Sequence, residues 1–168
     1  MGVYHDKKII LLHPPKTGGT SLAHFIGNGA NGNLYPEEIK DKISVLEWEE
    51  YTALMTVREP FARFVSGWKF FGAYKRGESF PDYLARMLAP DASTPGRIEQ
   101  SQTRWLPADK DVLVYKCEEL YERFPGIRTM RVTSGPTWQD VWTPELGELV
   151  VKERQEDYER FQYEPPKP

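Results

Sequence analysis

The segment IILLHPPKTGGTSLAHFI (residues 9–26) joins a continuous apolar run to a loop rich in glycine and hydroxyl residues. The apolar run predicts a buried strand over residues 7–12, because its hydrophobic residues are continuous and Pro14-Pro15 ends it. After the two glycines, residues 20–26 have the pattern of a helix. A strand, a loop and a helix in direct succession form the repeating unit of α/β folds.

The same alternation of strands and helices continues towards the C-terminus. Further strands are predicted at residues 53–57 and 111–116, with a weaker fourth strand at 127–132. Helices are predicted from Pro36 and over residues 61–71, 79–88, 118–124 and 144–161, the last as one continuous helix. We therefore expect a single α/β domain over residues 1–168, with a mostly parallel central sheet flanked by helices and a frayed tail at 164–168.

Composition argues against two classes of partner. The chain has 168 residues, of which 39% are hydrophobic and 28% charged, as in ordinary globular domains. Its net charge of −3 provides no basic field, so we expect no nucleic-acid partner. No apolar run approaches the ~18 residues that a bilayer-spanning helix needs, so we expect no membrane partner.

The N-terminus and the cysteine content bear on the compartment. The stretch MGVYHDKKIILLHPPK lacks the long apolar segment and the small-residue cleavage site of a signal peptide. Asp6 occupies the place where a myristoylation motif starting at Gly2 needs serine or threonine. Cys117 is the only cysteine, which excludes an intrachain disulfide and fits a reducing compartment. We expect a cytoplasmic protein.

The loop HPPKTGGTSL (residues 13–22) has the composition of an anion site. Gly18 and Gly19 lack bulk, so the backbone can approach an anion closely and direct successive N–H groups at it. The positive end of the following helix dipole adds to this attraction. Side-chain donors complete the set: Lys16, Thr17, Thr20 and Ser21. The alternative is a glycine turn with a surface lysine.

The order of residues in this loop differs from that of the common ATP-binding loop. That loop reads G-x-x-x-x-G-K-[ST], with the lysine after the glycines and a hydroxyl that holds magnesium. In this chain the lysine comes before the glycines. The loop therefore follows the logic of a phosphate loop without matching its standard pattern.

A second candidate loop, TVREPFARFVSGW (residues 56–68), follows the second predicted buried strand. Arg58 stands at the strand end, and Ser66 comes eight residues later, about two helical turns into the next helix. Arg63 lies three residues before Ser66, so the two are neighbours on the helix surface. The planar fork of arginine suits phosphate, although both arginines could instead pair with acids such as Glu59.

Both loops follow the carboxyl ends of predicted parallel strands, where α/β folds bind their ligands. Two separate anion-binding loops at that edge indicate a ligand with two separated anionic groups. A nucleotide phosphorylated at both its 5′ and 3′ ends fits this description more naturally than ATP does.

The two motifs in this order resemble those of the sulfotransferases that use 3′-phosphoadenosine 5′-phosphosulfate (PAPS). PKTGGTS (15–21) is similar to their 5′-phosphosulfate loop, and REPFARFVS (58–66) is similar to their 3′-phosphate motif. The resemblance is closest to the carbohydrate-type branch and its small bacterial and viral members. It extends to SQTRWL (101–106), VYKCEELYERF (114–124) and WTPELGELVVKERQEDYERFQY (142–163). It implies a P-loop-like fold and a PAPS-dependent transferase.

The resemblance also implies roles for individual residues. The 5′-phosphosulfate would be held by Pro15, Lys16, Thr17, Gly18, Gly19, Thr20 and Ser21. Arg58 and Ser66 would hold the 3′-phosphate, and Arg63 would assist them or brace the loop. Lys16 would also stabilise the charge on the departing phosphate of adenosine 3′,5′-bisphosphate, the product. No metal is implied, and the sequence shows no cluster of metal ligands.

The general base departs from the pattern of the resemblance. Many relatives have a histidine between the two motifs, but Asn33 occupies that position here. Glu37 and Glu38 are candidate bases, and the alternative for both is an acidic helix start that the helix dipole favours. Of the histidines near the first loop, His13 is expected in a structural hydrogen-bonding role, with catalysis as the alternative. His24 is expected on the surface, with Leu22, Phe25 and Ile26 facing the core.

The acceptor and two competing functions stay open at this point. The resemblance favours a small-molecule or saccharide acceptor with a hydroxyl or amine, but loops 27–36 and 90–110 carry no readable code for it. A kinase with an atypical phosphate loop would instead require ATP and magnesium. A nucleotide-binding protein without transferase activity would fit the missing histidine. Trp105 could stack on a ligand ring or lie in the core.

Overall fold

The computed structural model describes residues 2–27, 32–89, 97–130 and 132–167. Strands in these residues form one sheet in the order β1 (Val3–Tyr4), β2 (Ile9–Leu12), β3 (Thr52–Val57) and β4 (Val112–Lys116). β1 is antiparallel to β2, whereas β2, β3 and β4 run parallel. The prediction of a mostly parallel sheet flanked by helices is confirmed.

The helices fall between and after these strands. In chain order they are α1 (Gly19–Ile26), α2 (Pro36–Lys40), α3 (Val45–Glu50), α4 (Pro60–Phe70), α5 (Phe80–Leu88), α6 (Leu120–Arg123), α7 (Trp138–Val141), α8 (Pro144–Glu153) and α9 (Gln155–Phe161). Short 3₁₀ turns occur at His5–Lys7, Tyr74–Arg76, Gln102–Trp105 and Cys117–Glu119. None of the helices in the described ranges is long and apolar enough to cross a bilayer.

Two predicted elements are wrong. Described residues 127–130 and 132 form no strand: Gly126 has a left-handed φ of +90°, and the Ile127 N–H bonds back to the Phe124 carbonyl in a turn. The final helix is also not continuous, because Arg154 leaves helical geometry with φ −130° and ψ 28° between α8 and α9. Strand β1 and helices α3 and α7 were not predicted.

The chain divides into two compact units, one over Met1–Arg58 and Arg104–Arg131, the other over Glu59–Thr103 and Val132–Pro168. The first unit contains the sheet with α1, α2, α3 and α6. Its core is formed by Tyr4, Leu11, Leu22, Ala23, Ile26, Leu54, Leu120 and Ile127. Phe25 was expected to face this core, but its side chain is 46% exposed. It packs edge-on against Phe124 instead.

The second unit is helical and contains α4, α5, α7, α8 and α9. Its core takes the predicted apolar face of α4, consisting of Phe61, Phe64, Val65 and Trp68. Phe80, Tyr83 and Leu84 of α5 pack against them, together with Val150 of α8 and Tyr158 of α9. The single-domain prediction itself stays a prediction, and loops 27–36 and 90–110 lie partly outside the described residues.

Candidate functional site

The loop between β2 and α1 has an unusual backbone. Lys16 has a φ of +69° and Gly18 a φ of +80°, both in the left-handed region. A non-glycine residue in this region costs about 1–3 kcal/mol and persists only where the surroundings fix it. The backbone of this loop is therefore held in a defined shape around Lys16, which is half-buried.

Thr17 is the anchor that fixes this shape. Its side chain is fully buried, and its hydroxyl donates to the carbonyl oxygen of Pro14 at 2.8 Å. The same oxygen lies 2.8 Å from the hydroxyl of Thr56 on β3. Because Thr17 has one hydroxyl proton and gives it to Pro14, Thr56 is the donor of this second bond. The Thr17 hydroxyl thus ties the loop to β3.

The two glycines are required by the protein side of the loop. A Cβ atom on Gly19 would lie 2.2 Å from Cγ of His13, whose ring is buried against the loop. A Cβ atom on Gly18 would lie 2.8 Å from Cδ1 of Leu120 and 3.0 Å from Sγ of Cys117. Close packing therefore requires glycine at both positions, independently of any ligand. The His13 ring is therefore packed against the first residue of α1, and its expected hydrogen-bonding role stays a prediction.

Helix α1 begins directly at the loop, with Gly18 as a cap residue that has no side chain to offer. The first N–H groups of a helix lack intrahelical partners, and they give this end of the helix a partial positive charge. Thr20 is half-buried in the first turn. The Ser21 hydroxyl accepts a bond from the Met130 N–H at 3.0 Å. The start of α1 therefore adds partial positive charge beside the loop.

Arg58 brings a second positive charge to this edge of the sheet. It follows β3 directly, and the register of β2 and β3 pairs Leu12 with Met55 near their carboxyl ends. Nη1 of Arg58 lies 3.5 Å from the carbonyl oxygen of Lys16. Burial raises the pKa of the Cys117 thiol, and the charges of Arg58 and Lys16 both oppose that rise. Both cations therefore act on the same point beside the loop.

The other residues of the second motif lie in the second unit. Arg63 is 1% exposed, and its guanidinium donates to the Gln100 carbonyl at 2.8 Å and the Arg97 carbonyl at 3.5 Å. Burial lowers the pKa of Arg63 to about 10, so it stays charged at neutral pH. These contacts brace residues 97–100, and the role of Arg63 towards a phosphate stays a prediction. Ser66 is buried on α4, and its role towards a phosphate stays a prediction.

Both candidate bases have partners at the start of α2. Glu38 accepts a bond from the Tyr35 N–H at 2.7 Å, as in a capping box. Glu37 forms a two-pronged ion pair with Arg104, whose guanidinium also stacks 4.3 Å from the centre of the Tyr35 ring. The hydrogen bond from Arg104 is the main cause that lowers the pKa of Glu37. A carboxylate with a lowered pKa is a weaker base.

Three further side chains of the first unit differ in their exposure to solvent. Asn33, which stands where relatives have histidine, is half-buried. His24 is on the surface, as expected. Trp105 is completely buried and packs against Tyr35 with ring centres 4.8 Å apart. Trp105 is therefore a core residue and does not offer a face to a ligand.

Sequence reasoning missed the polar network of α9. Asp157 is fully buried and accepts bonds from the Ser101 hydroxyl and from the Gln102 and Thr103 N–H groups, at 2.6, 2.7 and 3.1 Å. The signal was present in the pattern: an aspartate stands beside Tyr158 on the apolar face of a predicted helix. A charged residue on such a face is rarely buried unless it is paired.

The structure identifies no metal centre: among the described residues, no three His, Cys, Asp or Glu side chains are grouped to bind a metal. In comparisons with known proteins, a family model described as the sulfotransferase family matches residues 3–144. No curated protein and no solved structure gives a significant match. The matched range includes both candidate loops and ends at the first residue of α8, so α9 lies beyond it.

Proposed function

The chain belongs to the sulfotransferase family, and from this premise we propose that it transfers a sulfuryl group from PAPS to a hydroxyl or amine. The proposed acceptor is a small molecule or a saccharide. The family membership supports sulfuryl transfer in general. PAPS as the sulfuryl donor and a small molecule or saccharide as the acceptor are our proposal.

The observation that carries the proposal is the loop between β2 and α1, which has a fixed backbone and brings together two cations. Lys16 sits in a left-handed loop that Thr17 ties to β3, and Arg58 lies with its Nη1 3.5 Å from the Lys16 carbonyl. The start of α1 adds helix N–H groups that no side chain caps. These cations and N–H groups are chemically suited to a phosphosulfate, whose oxygens need several fixed positive or N–H groups around them.

We assign the 5′-phosphosulfate to this loop and the 3′-phosphate to Arg58. The start of α4 offers little for a phosphate, because the Glu59 carboxylate already accepts bonds from the Phe61 and Ala62 N–H groups. A 3′-phosphate would therefore depend on side chains of the second motif. In this assignment Arg58 supplies the charge.

PAPS supplies an activated sulfur–oxygen bond, so the protein has to position PAPS and the acceptor and to stabilise the charge that develops between them. The acceptor oxygen or nitrogen forms a bond to sulfur while the bond from sulfur to the 5′-phosphate oxygen breaks. The departing phosphate keeps the electron pair of that bond, and Lys16 offsets its growing negative charge. Glu38 and Glu37 stay the candidates for the acceptor proton, and its lowered pKa weakens Glu37 as a base.

A binding experiment tests the proposal. Thermal unfolding is followed with adenosine 3′,5′-bisphosphate and, separately, with ATP and magnesium. Ligand at 100 times its Kd should stabilise the fold by about 2.7 kcal/mol. We expect stabilisation by the bisphosphate without magnesium, and sulfate transfer from PAPS to members of a saccharide and small-molecule panel.

Two other outcomes would point elsewhere. Stabilisation by ATP with magnesium alone would overturn the proposal in favour of a kinase. Stabilisation by the bisphosphate without sulfate transfer to any acceptor in the panel would leave a nucleotide-binding protein without transferase activity.

A further inference from the structure

The side chain of Thr56 is held in place by the sheet of the first unit. Thr56 lies on β3, which pairs with β2 on one side and with β4 on the other. It is in register with Tyr115 of β4, and it is completely buried. Strands in the core are among the parts of a fold that open least. Thr56 therefore presents its hydroxyl from a rigid support.

This hydroxyl contacts the loop between β2 and α1. It lies 2.8 Å from the hydroxyl of Thr17, which donates its own proton to the Pro14 carbonyl at 2.8 Å. A hydroxyl has one proton, so Thr56 is the donor to Thr17, and the Thr17 proton is already used within the loop. The oxygens of an ionised phosphate only accept hydrogen bonds, so the Thr17 hydroxyl is poorly suited to bind one directly.

The bond from Thr17 to Pro14 closes a short ring of chain that contains Lys16. Within this ring Lys16 has a left-handed φ of +69°, a conformation that persists only where the surroundings fix it. Two side chains that β3 carries or leads into contact the ring. The Thr56 hydroxyl holds Thr17, and Nη1 of Arg58 lies 3.5 Å from the Lys16 carbonyl. The backbone of Lys16 is therefore held against β3.

We propose that Thr56 is a positioning residue for the 5′-phosphosulfate: its hydroxyl holds Thr17, and Thr17 holds the ring of chain from which Lys16 binds the ligand. In this arrangement Thr17 acts through the shape of the loop and not through a hydrogen bond to the ligand. The inference rests on the proposed function and deepens it. Its distinctive consequence is selectivity for ligands that have a phosphate at the 5′ end.

The test compares a ligand that has a 5′-phosphate with one that lacks it. The Kd values of adenosine 3′,5′-bisphosphate and adenosine 3′-monophosphate are measured by calorimetry for the wild type and Thr56→Val, which replaces the hydroxyl by a methyl group. We expect the variant to bind the bisphosphate about tenfold more weakly, which corresponds to the loss of one hydrogen bond, with little change for the monophosphate. The ratio of the two Kd values is the readout.

Two further threonine substitutions serve as controls. Thr56→Ser keeps the hydroxyl and should restore most of the wild-type Kd ratio, although it loses a buried methyl group and with it some stability. Thr52→Val makes the same change at the first residue of β3, where the side chain is exposed. We expect its Kd ratio to equal that of the wild type.

A double variant tests whether Thr17 and Thr56 act through one contact. Thr17→Val removes both the acceptor of the Thr56 proton and the donor to the Pro14 carbonyl. It should therefore weaken binding of the bisphosphate at least as much as Thr56→Val does. Adding Thr56→Val to Thr17→Val should then cost little more, because their contact is already lost. Losses that simply add would show that the two hydroxyls act independently, and would overturn the inference.

The remaining outcomes separate this inference from the proposed function. If the wild type does not bind the bisphosphate, the proposed function fails. If the wild type binds it and Lys16→Ala loses that binding, but Thr56→Val keeps the wild-type Kd ratio, the positioning role is overturned. Equal weakening of both ligands in Thr56→Val would also overturn it, since a purely structural role acts on both.

Discussion

Lys16 combines a cost in stability with a gain in binding. Its left-handed backbone, with φ +69°, suits glycine better than any residue with a Cβ, yet the chain has a lysine there. The first motif explains the choice if the ammonium group is needed for the ligand. The same residue then shapes the loop through its backbone and binds through its side chain.

Two substitutions separate these contributions. Lys16→Gly and Lys16→Ala both remove the charge, but only the glycine variant relieves the backbone. We expect Lys16→Gly to be more stable to denaturant than Lys16→Ala by about 1 kcal/mol. Both variants should lose most of their affinity for adenosine 3′,5′-bisphosphate in calorimetry. Wild-type affinity in either variant would contradict the assignment of Lys16.

At Gly19, helix propensity favours alanine, whereas close packing against His13 favours glycine. As the first residue of α1 it would gain roughly 1 kcal/mol from replacement by alanine on propensity alone. The new Cβ would lie 2.2 Å from Cγ of His13, however. We expect Gly19→Ala to destabilise the protein by about 2 kcal/mol, since overpacking of this kind typically costs 1–3 kcal/mol.

The partner of the clash provides the control for Gly19. The double variant His13→Ala with Gly19→Ala should recover part of the lost stability relative to Gly19→Ala, measured by urea denaturation. A Gly19→Ala variant more stable than the wild type would show that the loop can shift away from the His13 ring.

At the scale of elements, the start of α2 is held by an ion pair. The Arg104 hydrogen bond lowers the pKa of Glu37, so the folded state favours the ionised carboxylate. A lowered pKa contributes stability above the unfolded value, 4.5, and this contribution is lost as pH falls through the folded value. We expect Glu37→Gln to be less stable than the wild type at pH 7 and equal to it in strong acid.

Thermal unfolding at several pH values measures this difference. The gap between the two proteins should close below pH 4.5, in the range where the folded carboxylate is protonated. Glu37 is mostly exposed, so salt should reduce the gap at pH 7. A gap that persists unchanged into acid would mean that the carboxylate charge does not cause it.

The sequence predicted β2, β3 and β4 well because continuous apolar runs in a parallel sheet are bounded by turn residues. It also predicted that the loops that contain Lys16 and Arg58 both follow the carboxyl ends of parallel strands, and β2 and β3 are neighbouring parallel strands in the sheet. The strand at 127–132 failed because a short segment with scattered apolar residues does not say whether a partner strand is available. The role of the Thr17 hydroxyl could not be predicted, since its partner Thr56 lies 39 residues away.

At the scale of the whole molecule, the two units are built on different principles. The first unit depends on the sheet and its helices, so its core follows from local patterns. The second depends on contacts between distant helices, such as Tyr158 with Glu59, which are 99 residues apart. Contacts of that separation leave little trace in one sequence, and the network of Asp157 was therefore found only in the structure.

This difference makes the second unit sensitive to its C-terminal helix. Removal of residues 154–168 takes away Tyr158 and Phe161 from the core and Asp157 from the segment 101–103. It leaves Ser101, Gln102 and Thr103 without this acceptor, and the loss of a hydrogen bond to a charged group costs about 1.5–3 kcal/mol. We expect the shortened chain to lose cooperative unfolding of the second unit, followed by calorimetry and amide hydrogen exchange.

Removal of residues 165–168 alone is the matched control. These residues follow the end of α9, and the described ones have no regular structure. That variant should unfold like the full chain and bind adenosine 3′,5′-bisphosphate with the same affinity. The expected loss of stability arises because the core then lacks two aromatic side chains and a buried carboxylate. If the chain that ends at residue 153 also unfolded cooperatively, with unchanged protection in α4 and α5, the contacts of α9 would contribute little to the stability of the second unit.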